Sequence, residues 1–259
     1  MAVKCFRKAT DLFQAGTALR RVDDGCQGHG LWRDADEEAL RIMDDVISYN
    51  KGVWIEAIYK VGQTPFWAAA GDGLVSFKRR LAETGADLEV TDKNGRTPLL
   101  LAATNGYERV ARLLIENGAD VNAKDNITKG TPLHSAASVG NEDITRLLLT
   151  VGKAEVNSKD RYNGVPLHIA AFSGHEGVAR LLLTAGKAEV NSKDKVDRTP
   201  LQEAALGGHE GIVRLLLETR KANIDSRDDS GNTALQIAAQ SGHEGVVKLG
   251  TGRQLKVSA

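Results

Sequence analysis

The sequence predicts an all-α repeat solenoid, and three observations carry that prediction. A seven-residue box recurs six times, at offsets of 33, 34, 34, 34 and 34 residues. Each box opens on a helix-start signal and is followed by a glycine stop. Between one box and the next lies a second apolar stripe with helical spacing. Self-similarity at a period of this length is the signature of stacked supersecondary units, because one such unit cannot bury its apolar face alone.

The box is clearest in Thr97-Pro98-Leu99-Leu100-Leu101-Ala102-Ala103, Thr131-Pro132-Leu133-His134-Ser135-Ala136-Ala137 and Val165-Pro166-Leu167-His168-Ile169-Ala170-Ala171. It continues as Thr199-Pro200-Leu201-Gln202-Glu203-Ala204-Ala205 and Thr233-Ala234-Leu235-Gln236-Ile237-Ala238-Ala239, with a looser first copy at Thr64-Pro65-Phe66-Trp67-Ala68-Ala69-Ala70. Threonine before proline starts a helix: the hydroxyl caps free N–H groups, and proline suits the first helical position. The paired alanines let this first helix lie close to its neighbours. Gly73, Gly106, Gly140, Gly174, Gly208 and Gly242 then break it. A second helix follows with a stripe such as Val178-Ala179-Arg180-Leu181-Leu182-Leu183, and Gly85, Gly118, Gly152 or Gly186 ends it. A short stretch and a turn lead to the next box. Each unit is therefore two short antiparallel helices with a projecting turn.

This pattern resembles the ankyrin repeat: Thr-Pro-Leu-His-x-Ala-Ala, then Gly-His-Glu-x-Val and a leucine run. The spacing Gly-Lys-Ala-Glu-Val-Asn-Ser-Lys-Asp at 152–160 and 186–194 carries one residue more than the 33-residue norm and is similar to fungal-type ankyrin arrays. The resemblance runs from Thr64 to about Leu249. It implies about five full repeats, a partial sixth and an N-terminal helical cap. It also implies a role in protein–protein interaction or as a scaffold, on a concave face of turns and first helices, although one fold carries many tasks.

Three segments are expected. Residues 1–62 hold a degenerate capping repeat, because Gly52-Val53-Trp54-Ile55-Glu56-Ala57 lies over Gly85-Ala86-Asp87-Leu88-Glu89-Val90 at a shift of 33. Residues 63–249 form the array. Residues 250–259 are expected to be a frayed tail, since Gly250 and Gly252 stand where leucines should continue the last helix, each at a cost of about 1 kcal/mol relative to alanine.

Composition narrows the function. Lysine plus arginine and aspartate plus glutamate each number 34, so there is no overall basic field for nucleic acid or an anionic membrane. No stretch approaches the roughly 18 uncharged apolar residues of a membrane helix. Two cysteines imply no disulfide framework, and the start carries no secretory signal. A monomer in the cytoplasm or nucleus is expected.

No catalytic constellation, cofactor or metal is expected. Five of the six histidines occupy equivalent repeat positions: His134 and His168 in the box, and His175, His209 and His243 opening second helices. The resemblance implies that these make hydrogen bonds within and between repeats. Cys5, Cys26 and His29 lack a fourth ligand and the tight pairing that zinc needs. No phosphate-cradling glycine motif and no nucleophile elbow occurs. An alternative reading places a small-molecule enzyme pocket where the N-terminal segment meets the first repeats, drawing on Trp32, Trp54, Tyr59, Phe66 and Trp67.

The binding face should consist of what varies between repeats. At the turns these are Lys93, Arg96, Lys129, Arg161, Tyr162, Lys195 and Arg198, with Ile127 and Val196 among them; Trp67, Leu101, Ile169, Phe172, Leu206 and Ile237 line the first helices. The basic residues make a strip suited to a protein with an acidic surface. Aromatic and arginine side chains among aliphatic ones are the usual anchors of an interface. Reversing Arg96, Arg161 and Arg198 together is expected to weaken binding without unfolding the array.

Overall fold

The computed structural model describes residues 88–89 and 91–257, with side chains through Gly250. Among these residues ten helices form five pairs, with no strand. They are α1 (Pro98–Asn105) and α2 (Glu108–Glu116), α3 (Pro132–Val139) and α4 (Glu142–Thr150), and α5 (Pro166–Ser173) and α6 (Glu176–Thr184). Next come α7 (Pro200–Leu206) and α8 (Glu210–Glu218), then α9 (Ala234–Gln240) and α10 (Glu244–Val257). All but α10 have seven to nine residues. Isolated helices shorter than about 12–15 residues are marginal in water, so these depend on stacking.

The helix starts follow the sequence. Thr97 Oγ1 accepts from Leu100 N at 3.3 Å, and Thr199 Oγ1 and Thr233 Oγ1 each accept from the amide three residues on at 3.4 Å. Proline opens α1, α3, α5 and α7. Gly106, Gly140 and Gly174 end the first helices in the left-handed conformation, at φ of 74 to 80°.

First helices stack on first helices and second on second. Leu99, Leu133, Leu167 and Leu201 form one buried row; Leu114, Leu148, Leu182 and Leu216 form another, each 0% exposed. Burying one such leucine contributes about 1.5–3 kcal/mol. The alanine pairs of α1, α3, α5 and α7 are fully buried between neighbouring helices, where a larger side chain would hold the backbones apart. Thr145, the one polar residue of this inner layer of α4, donates to Asn141 O at 2.7 Å.

The glycine stop expected for the second helices needs correction. The helices α4 and α6 end at Thr150 and Thr184, and the left-handed residue is Lys153 or Lys187 (φ 53 and 56°), one place beyond Gly152 or Gly186. In the shorter repeat Gly118 itself takes that conformation, at φ 89°. The lysine is thus the extra residue of the longer spacing. The glycine before it is kept small by packing: a Cβ on Gly186 would lie 2.7 Å from Leu182 O and 3.0 Å from Val156 Cγ2.

The backbone of α10 is helical from Glu244 to Val257, through Gly250 and Gly252. Glycine lowers helix propensity without obstructing the i→i−4 ladder. Gly250 moreover lies against α9, where a Cβ would come 2.9 Å from Leu235 Cδ1.

Candidate partner-binding face

The projecting turns are built by one residue type. Asp92 Oδ1 accepts from Asn94 N and Arg96 N, both at 2.9 Å. Asp160 Oδ1 does the same for Tyr162 N and Gly164 N at 2.8 Å, and Asp194 Oδ1 for Val196 N and Arg198 N at 2.9 and 2.8 Å. Asp228 Oδ1 accepts from Ser230 N and Asn232 N at 3.1 and 2.8 Å. Asp125 spreads its bonds over Ile127 N, Thr128 N, the Thr128 hydroxyl and Gly130 N. A short acidic side chain that accepts its own downstream amides is the standard device for a tight turn. Burial pushes the Asp125 carboxyl up, yet the Thr128, Ile127 and Gly130 donors outweigh it and hold it below the usual carboxylate range. For Asp92 burial is likewise outweighed, there by Arg96 and Asn94 donors.

Sequence reasoning missed these aspartates, although their recurrence at the repeat spacing was the available signal. Asp228, an acid beside Asp229 in sequence, is buried and staples the turn before α9.

Successive turns are joined edge to edge by main-chain bonds. Asn126 N donates to Asn94 O (2.9 Å), Arg161 N to Thr128 O (2.7 Å), Lys195 N to Tyr162 O (2.8 Å) and Asp229 N to Val196 O (3.1 Å). A second series lies nearer the helices, where Glu155 N, Glu189 N and Asn223 N each donate to an asparagine Oδ1 one repeat back. The edge of the solenoid is therefore a continuous hydrogen-bonded rim, so residues on neighbouring turns keep a fixed spacing.

On this rim three consecutive turns expose a large apolar side chain: Ile127 at 52%, Tyr162 at 60% and Val196 at 44%. Exposed Lys129, Arg161 and Lys195 stand beside them, and Lys93 is exposed on the turn before. The Lys195 ammonium lies 5.7 Å from the centre of the Tyr162 ring, within cation–π range. The Arg161 guanidinium donates to Asn126 O at 3.3 Å, which holds its stem along the rim. On the first helices Phe172 is 55% exposed and Leu206 is half-buried.

Other expected site residues lie elsewhere. Leu101 is 2% exposed and Ile237 4%, so both belong to the core of the stack rather than to its exposed surface. Arg96 is paired with its own turn carboxylate, Asp92, at 2.8 Å. Arg198 is held between Glu203 Oε1 and Asp228 Oδ2, each at 3.6 Å. Burial raises the Glu203 carboxyl against the pull of Arg198, and nearby Asp194 pushes it the same way as burial. Arg96 and Arg198 thus brace turns, and reversing either charge would disturb the fold as well as the surface. Trp67, Cys5, Cys26, His29, the capping repeat and the alternative enzyme pocket all lie outside the described residues.

No group of three or more histidine, cysteine, aspartate or glutamate side chains suited to a metal occurs among the described residues. No helix among them is long and apolar enough to cross a membrane. No curated protein matches the chain. The family model for ankyrin repeats, written as three copies, matches residues 37–125, 125–194 and 186–249, well over half of the sequence. With the repeated box, the paired helices and the rim of turns, that match places this chain in the ankyrin repeat family, whose repeats generally serve protein–protein interaction.

Proposed function

We propose that this chain is a monomeric scaffold of the cytoplasm or nucleus that holds an acidic-surfaced protein along its rim and first helices. The observation that supports the reading is the coincidence, on three successive turns, of an exposed apolar residue with an adjacent cation. Ile127 with Lys129, Tyr162 with Arg161, and Val196 with Lys195 combine desolvation energy with charge steering. Phe172 supplies a further anchor from the first-helix face. The rim is ordered by its own hydrogen bonds, so the array loses little conformational freedom on binding. Trp67 extends the same face towards the first repeat as an expectation from the sequence.

The test uses cations free of structural ion pairs, and therefore leaves out Arg96 and Arg198. A displayed peptide library panned on the full chain should yield acidic sequences with aromatic or aliphatic anchors. The variant Lys129→Glu, Arg161→Glu, Lys195→Glu should keep the wild-type helical circular dichroism and lose those peptides. Enrichment of basic or neutral sequences, or undiminished binding by the variant, would overturn the reading.

A further inference from the structure

At the fourth position of the recurring box the described repeats differ in chemistry. It reads Leu100, His134, His168, Gln202 and Gln236. His134 and His168 are 3% and 4% exposed, and each bridges its own helix start to the next turn. His134 Nδ1 accepts from Thr131 N at 3.1 Å, and its Nε2 lies 3.2 Å from Gly164 O. His168 Nδ1 accepts from Val165 N at 3.3 Å, and its Nε2 lies 3.0 Å from Arg198 O. Gln202 makes the same bridge with an amide: Oε1 accepts from Thr199 N at 2.9 Å, and Nε2 donates to Asn232 O at 2.8 Å.

These contacts fix the protonation state. A ring nitrogen that accepts from a main-chain N–H has its lone pair free, so the single proton sits on Nε2. A second proton on Nδ1 would break the bond accepted from the Thr131 or Val165 N–H inside a buried site; at His134 the Thr131 hydroxyl also lies 2.9 Å from Nδ1, whereas Val165 offers His168 no such group. Glutamine does the same work and does not titrate. We propose that the two joints closed by His134 and His168 are acid-labile hinges, set beside a joint closed by Gln202 that acid leaves shut.

Asp160 and Asp125 favour a proton on His134, and Lys124 opposes it; Asp194 and Asp160 favour one on His168. Asp125, Asp160 and Asp194 already accept two or more turn N–H groups each. Burial outweighs the carbonyl and carboxylate contributions and holds both rings below the ordinary histidine value. The folded value is lower than the unfolded one, so the stabilising effect is complete above about pH 6.5 and is lost as pH falls below it. The partly exposed His175, His209 and His243 are bonded differently. Each places Nε2 against a carbonyl of the preceding repeat, at 2.9–3.1 Å, and none of these contacts asks a ring nitrogen to accept from a main-chain N–H. One such histidine sits at each of the three joints, so it supplies an internal control.

Amide hydrogen exchange on the full chain, corrected for intrinsic rates, reads each joint separately. The reporters are Arg161 N and Lys195 N at the histidine joints and Asp229 N at the glutamine joint. Between about pH 7 and about pH 5.5 the opening of the first two should rise up to about eightfold per histidine, with Asp229 unchanged. His134→Gln with His168→Gln should abolish the rise, and Gln202→His should transfer it to Asp229. If the double variant does not fold, each single glutamine variant should flatten only its own joint. An equal rise at all three joints, or a rise that survives the glutamine substitutions, would overturn the proposal.

Discussion

Gly174 and His209 meet across a joint between repeats. Gly174 has φ +80°, and a Cβ there would lie 2.6 Å from the His209 ring, which bonds Phe172 O at 2.9 Å. Gly242 has nearly the same φ, +77°, and nothing within 4 Å of its would-be Cβ. Gly242→Ala should therefore cost only the left-handed backbone penalty of about 1–2 kcal/mol. Gly174→Ala should cost about 1 kcal/mol more, through the displaced ring and its hydrogen bond. Urea denaturation of the two variants measures the difference. The turn aspartates give a second residue-scale test. Asp160→Ala leaves two turn amides without their acceptor and should cost about 1–3 kcal/mol, whereas Asp160→Asn keeps Oδ1 and should cost less. Such aspartates look like ordinary surface acids in sequence, because their acceptor role depends on a turn geometry that only the folded chain supplies.

At the scale of the element, first-helix starts were legible because threonine, proline and glycine act locally on the backbone. Helix ends were less so, because packing decides them. Gly152 and Gly186 read as stops, yet they are small in order to clear Leu148 O and Leu182 O, and the left-handed turn falls on the next lysine. In α10, Gly250→Ala should stabilise the helix by about 1 kcal/mol, since Leu235 Cδ1 is the end of a flexible side chain able to move aside. A lower melting temperature in that variant would show that Leu235 is fixed.

For the whole stack, each described repeat packs chiefly on its neighbours in sequence, so stability is approximately a sum of repeat and joint contributions. Leu148→Ala, at a fully buried central site, should cost about 2–5 kcal/mol and broaden or split the unfolding transition. Calorimetry of this variant against the unsubstituted chain tests both effects. The period exposed this architecture because every repeat writes it again. The exposure of the candidate face was legible only in part. Tyr162, Phe172 and the rim lysines are exposed where the variation between repeats indicated. The ion pairs of Arg198 were not legible, because its two acidic partners come from α7 and from a turn thirty residues on. Nor was the burial of Leu101, because nothing in one repeat tells how deeply the stack buries that position.

The rim has a further property that follows from its bonds. All four run the same way, from an amide on the later turn to a carbonyl on the earlier one. The edge is thus polar in the sense that an arrow is, and its two ends are chemically distinct. The side chains along it, Ile127, Tyr162 and Val196, also occur in an order that does not read the same backwards. A segment laid along this edge therefore has one fitting orientation, and a peptide of reversed sequence should not replace it.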